Sequence, residues 1–131
     1  MNFIPSKPLY NQVIIPLKIY LACPYTHPDP EVRKNRYEAV NIAAAKIILA
    51  GHIVYSPISH SHGITNTGLP MDWTFWKRID QEFIRWADQV WILKLEGWEQ
   101  SHGIGAELEF AANEFKVVRF VSPEHCNVSS F

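Results

Sequence analysis

The chain has little cysteine and no excess of charge of either sign. Its 131 residues include only two cysteines, and its 12 basic and 13 acidic residues give a formal net charge of -1 at pH 7. Two cysteines do not build a disulfide framework, so we expect a reduced, cytoplasmic protein. Without a basic surplus, we expect neither nucleic acid nor an anionic membrane as a partner.

Long apolar runs are also missing. The early apolar segment at residues 13–23 is interrupted by Pro16 and Lys18, so it is too short to span a bilayer, and the N-terminus lacks the arrangement of a signal peptide. Hydrophobic residues make up 47% of the chain and charged residues 19%, which is typical of a globular protein. This length predicts one domain.

Short apolar segments alternate with helical patterns along the chain. We predict strands at residues 18–23, 52–57, 89–95 and 116–121. Helices are predicted at 30–50, at 75–87 after a cap at Asp72 or Thr74, and at 105–115. This alternation predicts a parallel sheet with right-handed crossovers. We therefore expect an α/β fold, a single flavodoxin/Rossmann-like domain with a parallel sheet of four to five strands flanked by helices.

Three further segments complete the predicted organisation. Residues 1–17 are interpreted as an N-terminal arm, with an edge strand at 13–15, followed by the domain at 18–122 and a tail at 123–131. The polar segment at 58–70 is predicted to be an irregular, functional loop. On the first helix, the predicted inner face consists of Val40, Ala43, Ala44, Ile47 and Ile48.

The loop between the third strand and the last helix contains a hydroxyl and two glycines close to an acid. Ligands of open α/β sheets bind beyond such strand ends, where helix N–H groups face an anion. Ser101, Gly103 and Gly105 suit an anion site, because the hydroxyl can donate and glycines permit a close approach. Glu107 lies about one turn inside the helix, where we expect the dipole to favour its ionised form. The alternative is an ordinary turn followed by a surface glutamate.

Asp80 is the second candidate acid. Its apolar neighbours about one helical turn away are Trp76, Phe83 and Ile84. Desolvation among them would raise its pKa toward the range of a proton donor. Two carboxyl groups with different pKa values are the usual equipment for cleaving a glycosidic bond. The alternative is that Asp80 pairs with Lys77 or Arg78 on a solvated helix edge.

These residues resemble the nucleoside 2-deoxyribosyltransferase superfamily. The segment Asp-Gln-Glu-Phe-Ile-Arg-Trp-Ala-Asp at 80–88 and the Ser-x-Gly-x-Gly-x-Glu pattern ending at Glu107 are most similar to the 2′-deoxynucleoside 5′-phosphate N-hydrolase branch. The resemblance spans residues 18–121 and is closest at 80–111. It implies that Glu107 is the nucleophile that forms a glycosyl-enzyme, that Asp80 contacts or protonates the base, and that Tyr20 orients Glu107.

The resemblance also implies a nucleotide or nucleoside substrate, no cofactor, and a homodimer or higher homo-oligomer. Ser101 and the Gly103 amide would hold a 5′-phosphate. The first loop departs from the branch, which has Gly-Ser-x-Arg where this chain has Cys-Pro-Tyr-Thr at 23–26. Pro24 lacks an N–H donor, so phosphate recognition is open, and Thr26, Arg33 or Arg36 are candidate substitutes.

Further side chains are expected to contact the substrate. They are Tyr25 and Thr26 in the first loop, Trp98 as a stacking ring, and His102 as a hydrogen-bond donor. We expect no metal, because the His60-x-His62 pair has no adjacent Asp, Glu or Cys ligand. The leading hypothesis is an N-glycosidase that cleaves the base–(deoxy)ribose bond. The alternatives are a deoxyribosyltransferase, a non-catalytic nucleotide-binding sensor and a purely structural partner protein.

Overall fold

The computed structural model describes residues 15–126. In chain order the elements are β1 (Lys18–Ala22), α1 (Pro30–Leu49), β2 (Ile53–Tyr55), α2 (Pro57–Thr65), α3 (Trp73–Trp86), β3 (Gln89–Leu93), α4 (His102–Asn113) and β4 (Val117–Val121). Short 3-10 turns occupy Trp98–Gln100 and Pro123–His125. The four strands form one parallel sheet in the order β2-β1-β3-β4. The predicted single α/β domain with a parallel sheet is confirmed.

The strand order creates a crevice at one edge of the sheet. The chain leaves β1 toward β2 on one side and later returns to β3 on the other side, so β1 and β3 are neighbours. Adjacent strands whose connections depart in opposite directions leave a gap beyond their carboxyl ends, where ligands of such sheets bind. The loops that follow β1 and β3 border this gap.

Alternation along β1 builds two core layers. Ile19 and Leu21 pack with the buried face of α1, whereas Tyr20 and Ala22 join the core that includes residues of α3 and α4. Side chains of a strand point alternately to its two faces. Tyr20 therefore extends toward α4, which carries Glu107.

α1 begins and ends where the sequence signals predict. The Asp29 side chain accepts a hydrogen bond from the Glu31 N–H at the start of the helix, and Gly51 follows the helix with φ 101°. The buried residues are Val40, Ala43 and Ile47. The prediction that Ile48 faces inward is wrong, since Ile48 is 56% exposed. One residue beyond Ile47 rotates a side chain by about 100° around the helix axis.

The predicted irregular loop at 58–70 is wrong over its first half, which forms α2. Ser56 caps this helix by accepting a hydrogen bond from the Ser59 N–H at 3.1 Å, and Pro57 occupies the first helical position. A serine followed by proline is a recognised helix start. This signal was present in the sequence, but the polar and glycine-rich composition of the segment masked it.

The chain ends extend beyond the described residues. Residues 1–14, which include most of the predicted arm and part of its edge strand, lie outside them, as do residues 127–131 of the predicted tail. Cys126, also in that predicted tail, is fully buried in the core layer on the α1 side. No helix within residues 15–126 is long and apolar enough to cross a membrane.

Candidate active site

A cavity of about 590 Å³ occupies the crevice beyond β1 and β3. Its walls come from the loop after β1, from α2, from the first half of α3, and from the segment that leads into α4. Of the residues predicted for the site, those that line it are Asp80, Glu107, Ser101, Gly103, Tyr25, Thr26 and His102. Tyr20 lies directly behind the wall.

Glu107 lines the cavity, and a hydrogen bond from a buried tyrosine fixes its side chain. Its side chain is 5% exposed, and the hydroxyl of Tyr20 donates a hydrogen bond to its Oε2. Tyr20 is completely buried, and burial, with the charges of Glu107 and Asp80, raises the pKa of its phenol well above the ordinary value. The phenol therefore keeps its proton and acts as a donor to the carboxyl group.

Asp80 lies on the inner face of α3. It is 7% exposed and lies between the buried side chains of Trp76 and Ile84, one turn before and one turn after it. Burial raises its pKa from 3.8 to about 7, in the direction expected from the sequence. The solvated alternative is wrong, because no ion pair in the described part of the chain involves Asp80, Lys77 or Arg78.

The expectation that the helix dipole favours ionised Glu107 is wrong. Burial raises the pKa of Glu107 from 4.5 to about 8, the Tyr20 hydrogen bond opposes that rise, and the charge of Asp80 adds to it. Glu107 is the sixth residue of α4, and the dipole effect fades beyond the first turn. Desolvation therefore prevails at Glu107, and the charge of Asp80, which lines the same cavity, adds to the rise.

The predicted anion loop is the first part of α4. Ser101 is the residue before the helix, and its Oγ accepts a hydrogen bond from the Ile104 N–H at 3.2 Å. The Gly105 N–H donates to the Ser101 carbonyl at 3.0 Å, and Gly105 does not line the cavity. The prediction that Gly105 borders the site is therefore wrong. The first N–H groups of a helix have no acceptor within that helix. Those of His102 and Gly103 are therefore at the end of α4 that borders the cavity.

Trp98 lies outside the cavity, contrary to the prediction that its ring stacks on the substrate. Its ring centroid is 5.4 Å from that of Phe120 on β4, and it packs against the core layer of α3 and α4. The tryptophans that line the cavity are Trp73 and Trp76. The Trp76 indole N–H donates to the Pro70 carbonyl at 2.7 Å, which anchors the ring.

Arg36 brings a positive charge to the cavity wall. The two terminal nitrogens of its guanidinium donate to the carbonyls of Thr26, at 3.3 Å, and Glu96, at 3.0 Å. Gly97 has φ 90°, and a Cβ there would lie 2.8 Å from the Arg36 Nη2. From the sequence, Arg36 is only one of three candidates to replace the missing phosphate contact. Arg36 and residues 96–103 are far apart in the chain, so no local pattern predicts the contact between them.

α2 supplies the wall that the sequence did not predict. Its cavity-lining residues are Pro57, Ile58, Ser61, His62 and Thr65. Of the histidines considered in the sequence, His62 and His102 border the cavity, whereas His60 does not. Within residues 15–126, no group of three or more His, Cys, Asp or Glu side chains is arranged to hold a metal ion.

Comparison with known proteins gives a family and a structural relative. The family model with the description "Domain of unknown function (DUF1937)" matches residues 17–122. A solved structure of a 2-deoxyribosyltransferase from the psychrotolerant bacterium Bacillus psychrosaccharolyticus superposes with a TM-score of 0.52 and 26% sequence identity. The match covers 81% of this chain and 72% of that one. No curated protein matches significantly.

Proposed function

The chain belongs to the DUF1937 family, and we propose that it cleaves the N-glycosidic bond between base and (deoxy)ribose in a nucleoside or nucleotide. The observation that carries this proposal is the pair of buried carboxyl groups, Glu107 and Asp80, on one cavity. Two carboxyl groups on one cavity suit cleavage of a glycosidic bond, one as the nucleophile and the other as the proton donor. The likeness to a 2-deoxyribosyltransferase adds support.

In the first step, ionised Glu107 attacks the anomeric carbon. A bond forms between a carboxylate oxygen and C1′, and the bond between C1′ and the base nitrogen breaks. Asp80 gives its proton to the departing base, which leaves neutral. Tyr20 acts as a positioning residue, because its hydrogen bond to Oε2 leaves Oε1 as the attacking oxygen.

In the second step, the ester between Glu107 and the sugar is released. Asp80, now ionised, takes a proton from the incoming acceptor, which attacks C1′ and frees the Glu107 carboxylate. We take water as the acceptor, as in the 5′-phosphate N-hydrolases that the sequence resembles. Transfer to a second base is the alternative, and the structural likeness to a transferase favours it.

The sugar end of the substrate would lie toward the start of α4. Ser101, Gly103 and Arg36 line that part of the cavity, where N–H groups and a guanidinium suit an anion or a 5′-hydroxyl. Because the Ser101 Oγ already caps the helix, its donor hydrogen is the part available to a ligand. Thr26 borders the same cavity and is exposed.

The test is incubation with deoxynucleosides, ribonucleosides and their 5′-monophosphates while free base is followed chromatographically. We expect release by the wild type and loss of several orders of magnitude in Glu107→Gln, which retains ligand binding because only the covalent step is lost. Glu109→Gln is the matched control, since Glu109 is exposed on the same helix. Undiminished release by Glu107→Gln would overturn the proposal. Adding a second free base then distinguishes transfer from hydrolysis.

A nucleotide-binding sensor is the second candidate function. Pro24 lines the cavity without an N–H to offer a phosphate, and burial disfavours the ionised form of Glu107 that the chemistry requires. Such a protein would show a rise in melting temperature with a nucleotide and no base release.

A further inference from the structure

The His62 imidazole is fixed in place on the α2 wall. Its Nδ1 lies 2.6 Å from the Tyr25 hydroxyl oxygen. The Tyr37 ring stacks on one of its faces, with centroids 4.2 Å apart and 19° between the planes. One face and one edge of the ring are therefore occupied, and its remaining polar atom is Nε2.

The hydrogen bond to Tyr25 influences which ring nitrogen of His62 carries hydrogen. Burial raises the pKa of the Tyr25 phenol, against the opposing charge of the nearby Arg33 guanidinium, whose Nη1 donates to the His27 carbonyl. The phenol therefore keeps its proton and can donate it to Nδ1. An imidazole that accepts at Nδ1 carries its hydrogen at Nε2, so His62 offers a donor.

The base of the proposed substrate would lie between α2 and α3. Asp80, which would protonate the base, is on α3, and Trp73 and Trp76 of the same helix line the cavity beside it. The sugar would lie toward the start of α4 and Arg36, which also line the cavity. His62 on α2 lines the same cavity, so it is a candidate to contact the base.

We propose that His62 determines base specificity by donating its Nε2–H to an exocyclic oxygen, so that the site prefers 6-oxopurines and 4-oxopyrimidines over the 6-amino and 4-amino bases. This inference rests on the proposed function for the position of the base. An exocyclic amino group would place a donor against a donor, which leaves a buried polar group unpaired and costs affinity.

The experiment compares substrates that differ at this one position. The first pair is 2′-deoxyinosine and 2′-deoxyadenosine, and the second is 2′-deoxyuridine and 2′-deoxycytidine, each as nucleoside and 5′-monophosphate. We expect kcat/KM to favour the oxo member of each pair by about 10-fold or more. Dissociation constants measured by calorimetry on Glu107→Gln should show the same preference without turnover.

Variants of His62 and Tyr25 test whether these two side chains cause the preference for oxo bases. His62→Ala should remove most of the preference, chiefly by weakening the oxo substrates. Tyr25→Phe keeps the imidazole but removes the proton donated to Nδ1, so both tautomers become accessible and the preference should fall. His60→Gln is the matched control, because His60 is exposed on the same helix and outside the cavity, and it should keep the wild-type preference. Melting temperatures show whether each variant folds.

The outcomes separate this inference from the proposed function. The role of His62 would be overturned, even with base release intact, if kcat/KM were equal for the oxo and amino substrates of each pair or higher for the amino substrate. An oxo preference that survives in both His62→Ala and Tyr25→Phe would overturn it as well. Binding that prefers oxo bases, without release from any substrate, would support His62 and overturn the catalytic proposal. Absence of both binding and release would overturn both.

Discussion

At the scale of the residue, Glu107 faces two opposing demands. The proposed attack requires an ionised carboxylate, whereas burial raises its pKa to about 8. Asp80, with a pKa raised to about 7, must instead be protonated to give a proton to the base. The reactive state of the pair therefore carries one proton in total, located on Asp80, and the higher pKa of Glu107 makes this the less populated of the two one-proton forms.

This requirement predicts a bell-shaped pH dependence. Below about pH 7 both carboxyl groups are protonated and above about pH 8 both are ionised, so kcat/KM for base release should be highest between these values. The two limbs belong to the coupled pair rather than to either residue alone. A profile of kcat/KM from pH 5 to 10 would measure this, and a rate that rises or falls steadily across the range would contradict it.

Tyr20→Phe is predicted to slow the reaction and shift its pH dependence. The Tyr20 hydrogen bond lowers the pKa of Glu107, which is the higher of the two and sets the descending limb, so its removal should raise that pKa and move the descending limb to higher pH. Loss of a hydrogen bond to a charged group predicts a fall of about 10- to 100-fold in kcat/KM. The measurement is the same pH profile for the variant. A slower enzyme with an unshifted descending limb would show that Tyr20 does not control Glu107 ionisation.

At the scale of the element, the start of α4 combines a structural role with the proposed binding role. The Ser101 side chain caps the helix through the Ile104 N–H, and the same residue borders the cavity. A cap stabilises its helix with or without ligand, whereas a ligand contact affects binding only. The two roles can therefore be measured separately.

Ser101→Ala is predicted to lower the free energy of unfolding by about 1 kcal/mol in the absence of ligand. Ser101→Asp is the matched variant, because its carboxylate also caps helices well and should largely restore stability while repelling an anionic 5′-phosphate. Urea unfolding and KM for a nucleotide test the two roles. If Ser101→Asp binds a 5′-monophosphate as well as the wild type does, the phosphate would not lie at this helix start.

Element types were predictable because their signals are local. The strands follow apolar segments, and the helices follow caps such as Asp29 and periodic apolar residues. α2 was missed although Ser56 and Pro57 mark its start, because the composition of the residues after them suggested a loop. The sequence predicts that α4 starts at Gly105, whereas it starts at His102, because glycines favour a loop and Ser101 suits a ligand contact as well as a helix cap.

At the scale of the whole molecule, the proposed site lowers stability at neutral and alkaline pH. Carboxyl groups have pKa values near 4 in an unfolded chain, whereas those of Asp80 and Glu107 are about 7 and about 8 when folded. Between pH 4 and 8 the folded protein therefore binds more protons, so its stability falls as pH rises across this window.

The double variant Asp80→Asn/Glu107→Gln is predicted to remove this part of the pH dependence. Its gain in unfolding free energy over the wild type should be small near pH 4 and grow by on the order of 1 kcal/mol per pH unit for each carboxyl group, up to the folded pKa. Urea unfolding at pH 5 and pH 8 measures the difference. A constant difference between the two proteins at both pH values would contradict the raised pKa values.

The sequence by itself determined the parallel α/β domain and pointed to Tyr20, Asp80 and Glu107, because periodicity and helix signals act over a few residues and the motif lies along short segments. Only the tertiary structure decided what surrounds each of them. The pKa of Glu107, the packing of Trp98 against Phe120 and the position of His62 on the cavity wall depend on elements far apart in the chain. The burial and the contacts of each side chain depend on neighbours that are distant in the sequence, and a local sequence pattern does not specify those neighbours.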